Sequence, residues 1–505
     1  MCGICGIWNY KKREPVNRSL LDDMADAMVH RGPDTSGMYC DDSHGLGLGF
    51  RRLSIIDPSP VGNQPMSNEN KTIWVVCNGE IYNFLDLRSN LEVHGHIFSS
   101  KTDTEVIPHL YEEDKTECIK NLFGMFGLAI WDSSYPRIVL ARDRIGKKPL
   151  YYYDDGIRLI FASELKAIVN DPSVPRHLDL EAVVEYLRLG YIGSPRTIFK
   201  GICKLSPGTI LVHDGRQMSI TPYWDWLSNF QSIGSLSEDE WVENFREMLR
   251  EAVRIRMISD VPLGAFLSGG IDSSAVVAMM AELSDRPVKT FSIGFENQSF
   301  SELHYARQVA RHFNTDHHEH IVKPEAIVHL LPRLVKQLDE PFADASVVPT
   351  YYVSKIARQR VTVCLSGDGG DESMAGYKRY NLSMNELWVD RIPLSIRKAL
   401  LSIPVWIIPR HYKFRNKFIR MMLPRDMRYA RRLQIFNASQ ARRVLSPEVA
   451  RYVTEVPHAI DRYLKKSSHL DYLSQMQYLD GVTYLPEDIL VKVDRTSTSS
   501  HRFHK

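Results

Sequence analysis

The chain has 505 residues, 44% of them hydrophobic and 25% charged, with a formal net charge of +2. At roughly 150 residues per domain this predicts two to four globular domains, and the near-neutral charge excludes roles driven by bulk attraction to nucleic acid or membrane surfaces. Seven scattered cysteines do not form a disulfide framework, and the start lacks a signal-like apolar run, so the expected location is the cytoplasm.

The chain opens Met1-Cys2-Gly3-Ile4-Cys5-Gly6-Ile7. Removal of Met1 would leave Cys2 with a thiol and a free α-amine on one residue. That amine titrates near ~7.7–8.0, so it can accept a proton close to neutral pH. Nucleophile and base together are the equipment of an N-terminal-nucleophile hydrolase. Taken alone, Cys2 is read more simply as an incidental buried cysteine. Cys2-x-x-Cys5 has no partner pair at zinc-like spacing and is read as non-metal.

Further along, Arg31-Gly32-Pro33-Asp34 is a rigid turn, and Arg51-Arg52-Leu53-Ser54-Ile55 sets a guanidinium beside a strand, suited to a carboxylate. Short strands are predicted at 72–77, 128–131 and 137–141. Asn78-Gly79-Glu80 follows the first of them, where the Asn78 amide and the Gly79 N–H could hold an oxyanion. Asp103, in the polar turn Lys101-Thr102-Asp103-Thr104-Glu105, could bind an ammonium group. Turns, solvated pairs and an Asn-Gly hairpin explain each cluster singly. Together they supply carboxylate, ammonium and side-chain recognition, as a free amino acid requires.

A serine-bearing stretch at 227–237 reads as a linker, after which Ser237 and Glu240 form a capping box opening a helix to Arg256. Strands then alternate with helices: strand 261–267, helix 273–283, strand 288–293, helix 302–313, helix 347–358, strand 361–365. That alternation predicts a parallel α/β sheet. Leu267-Ser268-Gly269-Gly270-Ile271-Asp272-Ser273-Ser274 joins strand to helix, with glycines that admit a ligand and N–H groups that face phosphates. It lacks the Gly-Lys-Ser/Thr of a Walker loop. Ser366-Gly367-Asp368-Gly369-Gly370-Asp371-Glu372 offers oxygen ligands of the kind Mg²⁺ takes, or else acids that cap a helix. The arginine-rich stretch 390–436 is read as a solvated or nucleotide-adjacent face. The longest apolar run, Leu400 to Pro409, is far too short to span a bilayer.

The run Met1 to Ile7, Arg31-Gly-Pro-Asp34, Arg52-Leu-Ser-Ile55, Asn78-Gly-Glu-Ile-Tyr-Asn83, Thr102-Asp-Thr-Glu105, Ala141-Arg-Asp-Arg144 and Phe161-Ala-Ser-Glu164 resemble the glutaminase domain of glutamine-dependent asparagine synthetases. The Ser268 loop resembles the pyrophosphate loop of ATP pyrophosphatases. The resemblance implies an αββα N-terminal-nucleophile sandwich (2–210), a linker (211–236) and a parallel α/β ATP-pyrophosphatase-type domain (237–505).

By that resemblance Cys2 attacks the glutamine amide, with Asn78 and Gly79 in the oxyanion hole. Arg52 would hold the substrate carboxylate and Asp103, with Gly79 or Glu80, its ammonium; Ile55 also matches a glutamine-binding position. Leu267, Ser268, Gly269, Gly270, Asp272, Ser273, Ile293, Ser366 and Gly367 would contact ATP, and Asp272 and Asp371 would approach Mg²⁺. Asp368 falls where the family has an acid near the acyl-adenylate, a candidate general base. The implied reaction joins aspartate, ATP and glutamine-derived ammonia through β-aspartyl-AMP and an internal tunnel. A second copy of the chain is among the expected partners; nucleic acid and membranes are not.

Two departures stand out. Phe50 replaces a common histidine, predicting a local packing change only. The match reaches Leu485-Pro-Glu-Asp-Ile-Leu490 and Lys492-Val-Asp-Arg-Thr-Ser497, and then ends without the family's Glu-x-Arg-x-Pro-Phe-Leu-Asp segment or later lysine. The C-terminal half is therefore expected to be incomplete and to expose apolar surface. An amidotransferase for another carboxylate (sugar, peptide or antibiotic precursor), a glutaminase alone and a non-catalytic binding subunit stand as alternatives.

Overall fold

The computed structural model describes residues 2–229, 236–297, 301–408 and 413–499. Two six-stranded antiparallel sheets form the N-terminal half. The first runs, in spatial order, Ile202–Lys204, Tyr151–Asp154, Leu159–Ala162, Gly3–Trp8, Leu46–Arg52, Thr35–Asp41. The second runs Met218–Pro222, Thr209–His213, Arg137–Arg142, Gly124–Asp132, Ile73–Ile81, Met66–Ser67. Apolar residues on the facing sides, among them Ile4, Trp8, Leu48, Phe50, Val76 and Trp131, fill the space between the sheets. The outer face of the first sheet packs on helices Arg18–Asp26, Leu165–Val169 and Leu180–Leu189. Phe84–Val93 and Val106–Asp114 cover the second sheet. Four layers result, the αββα sandwich expected.

The hairpin Thr209–His213 and Met218–Pro222 begins at the end of the expected glutaminase domain and runs on into the stretch expected as linker, 211–236. Its first strand pairs with Arg137–Arg142 and so extends the second sheet. The apolar strand Ile210–Leu211 is buried in that sheet, whereas Met218–Pro222 is an exposed edge with little apolar signal. The helix that follows, Glu238–Arg256, starts on the capping box of Ser237 and Glu240.

The C-terminal half is built on a four-stranded parallel sheet ordered Asp316–Val322, Lys289–Phe295, Leu263–Phe266, Val363–Leu365. In chain order this is 3-2-1-4, a doubly wound arrangement whose direction of winding reverses between strands 1 and 4. Ligands in such sheets bind beyond the strand carboxyl ends at that reversal. The Ser268 and Ser366 loops both leave strands there. Helical segments from Gly370 to Ser499 complete this half, including a π-helix at Asp480–Ile489.

The arginine-rich stretch is not a solvated or nucleotide-facing surface at its core. Arg397 and Arg428 are buried on Asp390, and Arg420 and Arg432 pair with Glu386. A buried guanidinium needs such partners. The helix Leu394–Ile407 exposes Ile396, Leu400, Ile403, Trp406 and Ile407. Among the described residues no helix is long and apolar enough to cross a membrane.

Candidate active sites

Cys2 immediately precedes the strand Gly3–Trp8 in the middle of the first sheet, and Asn78, Gly79 and Glu80 lie on Ile73–Ile81 of the second. The two sheets thereby bring the start of the chain to a segment nearly eighty residues away. One pocket is lined by Cys2, Arg52, Ile55, Asn78, Gly79, Glu80 and Asp103. Every glutamine-site residue expected from sequence is in it.

The Cys2 thiol donates weakly to the Leu53 carbonyl at 3.7 Å, and burial pushes its pKa up. A thiol so placed is a poor thiolate unless a base takes its proton. Asn78 is fully buried, yet neither its amide nitrogen nor its amide oxygen has a hydrogen-bond partner. An orphaned buried amide costs about 1–3 kcal/mol, a cost that a bound oxyanion would offset. A Cβ at Gly79 would lie 2.0 Å from the Met125 carbonyl oxygen, so only glycine fits between the two paired strands.

Arg52 is held by the carbonyls of Ser59 and Asp57, which shape the 56–59 loop around its guanidinium. A Cβ on Gly62 would strike that guanidinium at 2.4 Å. Asp103 accepts from the Ile81 N–H at 2.7 Å, and burial, reinforced by the nearby Glu80 carboxylate, pushes its pKa up to about 7. Burial likewise raises Glu80, whose Oε1 has no partner. Two desolvated carboxylates in one pocket suit an incoming ammonium group.

Phe50 lines the same pocket, fully buried on the strand beside Gly3–Trp8. Gln64 and Lys148 also line the pocket and were not singled out from sequence. Lys148 was legible only as a basic residue after the Gly146 turn; nothing in its spacing aims it inward.

In the second half, the Ser268 loop wraps the N-terminus of helix Ile271–Leu283. Ser268 Oγ accepts from the Gly270 N–H and lies 3.0 Å from Ser273 Oγ. Gly269 has φ +87° and packs on the backbone of Ala306, where a Cβ would approach to 2.5 Å. Leu267 is buried at the strand end, and Ile293 lies on the neighbouring strand. The Ser366 loop closes on the first: a Cβ on Gly367 would meet Ser273 N at 2.7 Å, and one on Gly370 the Asp272 carboxyl carbon at 2.6 Å. Asp272 and Asp371 are close enough that, after burial, Asp371 is the next cause of Asp272's raised pKa. Asp368 accepts from Ser366 Oγ at 2.7 Å. Sequence-expected nucleotide and metal residues thus gather at the reversal point of the sheet.

A buried ionic cluster joins the two halves. Arg31 donates to the Cys2 carbonyl at 2.9 Å, to Glu164 at 2.8 Å, and to both oxygens of Asp494 at 2.7 and 3.0 Å. Arg495 reaches Glu164 at 2.6 Å and Asp339 at 3.5 Å, and Lys166 bridges the same two acids. Lys148 of the Cys2 pocket lies 3.7 Å from Asp494. Burial alone would raise Glu164, but Arg495, His30 and Lys166 hold it well below the carboxylate range. Nearby, Glu487 on the π-helix accepts from Ser194 N and Lys204 Nζ.

A cysteine at position 2 sharing a pocket with an unpaired buried amide, joined to a doubly wound sheet with a glycine-rich anion loop, is the architecture of a two-domain amidotransferase. A glutamine amidotransferase domain model matches residues 1–224 and an asparagine synthase model residues 244–501. The chain is 36% identical over 518 residues to glutamine-hydrolysing asparagine synthetase 1 of Bacillus subtilis, covering 99% of this chain and 78% of that protein. It is 39% identical over 427 residues to putative glutamine-hydrolysing asparagine synthetase 2 of Methanocaldococcus jannaschii, covering 80% and 81%. Against the putative enzyme of Mycobacterium tuberculosis H37Rv it is 33% identical over 488 residues, covering 94% and 74%. The chain belongs to the glutamine-hydrolysing asparagine synthetase family, whose members are ATP-dependent carbon–nitrogen ligases.

Proposed function

We propose that this chain makes asparagine from aspartate, ATP and glutamine. The observation that carries the first half is the pocket shared by Cys2, Arg52, Asn78, Gly79, Glu80 and Asp103, with the Asn78 amide left unpaired. Once Met1 is removed, the α-amine of Cys2 takes the thiol proton and the sulfur attacks the glutamine Cδ. The oxyanion that forms accepts hydrogen bonds from the Asn78 amide and the Gly79 N–H. Collapse expels ammonia, which leaves with the proton the amine had taken. The same amine then deprotonates water, which hydrolyses the thioester to glutamate. Arg52 holds the substrate α-carboxylate, while Asp103 and Glu80 hold its ammonium group.

In the second domain the Ser268 loop binds the ATP phosphates. The aspartate β-carboxylate attacks the α-phosphorus, pyrophosphate leaves, and ammonia displaces AMP from β-aspartyl-AMP. Asp368, on the Ser366 loop, takes the proton that the attacking ammonia releases. Asp272 and Asp371 offer carboxylates of the kind Mg²⁺ takes: Asp371 is near enough to raise the pKa of Asp272, and the close approach of Gly367 and Gly370 to Ser273 and Asp272 holds the two loops together. Bound there, Mg²⁺ would neutralise phosphate charge.

The test is glutamate release from glutamine by purified protein. Cys2→Ala should abolish it yet retain asparagine synthesis from ammonium salts. Failure of correctly processed protein to release glutamate overturns the glutaminase reading; failure of ATP–pyrophosphate exchange with aspartate overturns the synthetase reading.

A further inference from the structure

On the helix Val106–Asp114, His109 and Glu112 are three residues apart and share a face. Glu69 and His96 come from separate loops and converge on that face. One donor atom from each of Glu69, His96, His109 and Glu112 lies within 4.8 Å of all the others. The two oxygens of Glu69 are 3.3 Å from His96 Nδ1 and 3.3 Å from His109 Nδ1.

His109 is the informative member. It is 1% exposed, and neither ring nitrogen makes a hydrogen bond. The Glu69 oxygen near its Nδ1 is within ion-pair distance without hydrogen-bond geometry, so a simple Glu–His hydrogen bond does not account for the arrangement. The other members are already oriented. Glu69 accepts from the Ile97 N–H at 2.9 Å, and Asn68 Nδ2 donates to Glu112 at 3.0 Å. His96 Nε2 lies 3.1 Å from Glu113, the carboxylate–imidazole pairing that orients metal-bound histidines.

We propose that Glu69, His96, His109 and Glu112 form a Zn²⁺ site that pins the loops around Glu69 and His96 to the helix Val106–Asp114. Zinc bonds to nitrogen and oxygen are about 2.0–2.2 Å, which sets tetrahedral donor pairs roughly 3.3–3.5 Å apart. Each Glu69 oxygen already lies at that distance from one histidine, Oε1 from His96 and Oε2 from His109, and with one donor atom per residue no pair has to close by more than about 1.5 Å. Two imidazoles with two carboxylates select zinc over Mg²⁺, which prefers oxygen ligands alone. The helix follows directly on the Thr102–Glu105 turn that carries Asp103, so the ion would brace the turn without touching the reacting atoms.

The full chain carrying Cys2→Ser, which removes the pocket thiol as a competing ligand, is stripped with a chelator and titrated with Zn²⁺ against a chromophoric chelator. One equivalent should bind, millimolar Mg²⁺ should not displace it, and the midpoint of thermal unfolding should rise. The Co²⁺ form should give a tetrahedral spectrum without a thiolate charge-transfer band. His96→Ala and Glu112→Gln, neither in the closed core, should each weaken binding at least tenfold; His109→Ala should abolish it. No bound equivalent, an equivalent unaffected by the His96 and Glu112 substitutions, or a thiolate band each overturns the proposal.

Discussion

In the proposed reaction Asp103 should couple glutamine binding to pH, because burial, aided by Glu80, pushes its pKa up to about 7. As pH falls through 7 the carboxylate takes a proton and the counter-charge for the substrate ammonium is lost. Glutamine affinity, read by calorimetry on Cys2→Ala protein, should weaken about tenfold from pH 8 to pH 6, since a group of pKa 7 is about nine-tenths protonated at pH 6. Asp103→Asn should bind weakly at every pH. The sign for stability is opposite. A folded-state pKa above the unfolded value favours the folded, unliganded protein below pH ~4 and loses that contribution as pH rises through 7. Glutamine should therefore raise the unfolding temperature more at pH 8 than at pH 6. Asn78 gives a second prediction at this scale. If the Asn78 amide meets the oxyanion as proposed, Asn78→Ala should lower glutaminase kcat by about 10²–10³ with little change in KM. An unchanged kcat in a steady-state assay of glutamate release would exclude that role.

At the scale of elements, the two glycine-rich loops act as one unit because Gly367 and Gly370 press on Ser273 and Asp272. Asp272→Asn keeps the shape and removes one of the two crowded charges. It should lower ATP–pyrophosphate exchange at least tenfold and raise the Mg²⁺ needed for half-maximal rate, with glutamate release unchanged. The loops were legible in sequence because each is a glycine run between an apolar strand and a helix, and their chemistry depends on backbone shape. The strand Asp316–Val322 was not. Its Asp-His-His-Glu-His start has no apolar alternation, and it forms a strand by parallel pairing with Lys289–Phe295 at the sheet edge. The edge strand Met218–Pro222 escaped detection similarly, being exposed throughout. Periodicity reports burial, so strands whose faces are not buried leave no trace in it. The glutamine pocket was readable residue by residue through short motifs. Gln64, Lys148 and the His96–His109 cluster were not, because no local motif announces a contact made across the fold.

The whole molecule is held at its domain boundary by charges, which sets how the two sites can communicate. Arg31 bonds the Cys2 carbonyl with its Nε and grips Asp494 of the other domain with both terminal nitrogens. A shift of the helix carrying Asp494 is therefore felt at the backbone of the nucleophile through one side chain. Burial alone would raise Asp494, yet Arg31 and Lys148 hold it below the carboxylate range, so it enters the interior charged. Removing one member of such a pair leaves a buried charge uncompensated, a loss of about 3–5 kcal/mol, whereas replacing both with apolar groups of similar volume is often close to neutral. Asp494→Leu should thus destabilise the protein by that amount in denaturant titrations, and Arg31→Met/Asp494→Leu should recover part of it, since Glu164 keeps Arg495, Lys166 and His30 whereas Lys148 loses Asp494. Recovery of stability should not restore coupling. The double variant lacks the link from the synthetase helix to Cys2, so glutamate released per asparagine formed should rise above one and no longer respond to saturating aspartate and ATP. A double variant that is stable and keeps a one-to-one ratio would show that the sites communicate by another route, for which Glu487 with Ser194 and Lys204 is the next contact to break.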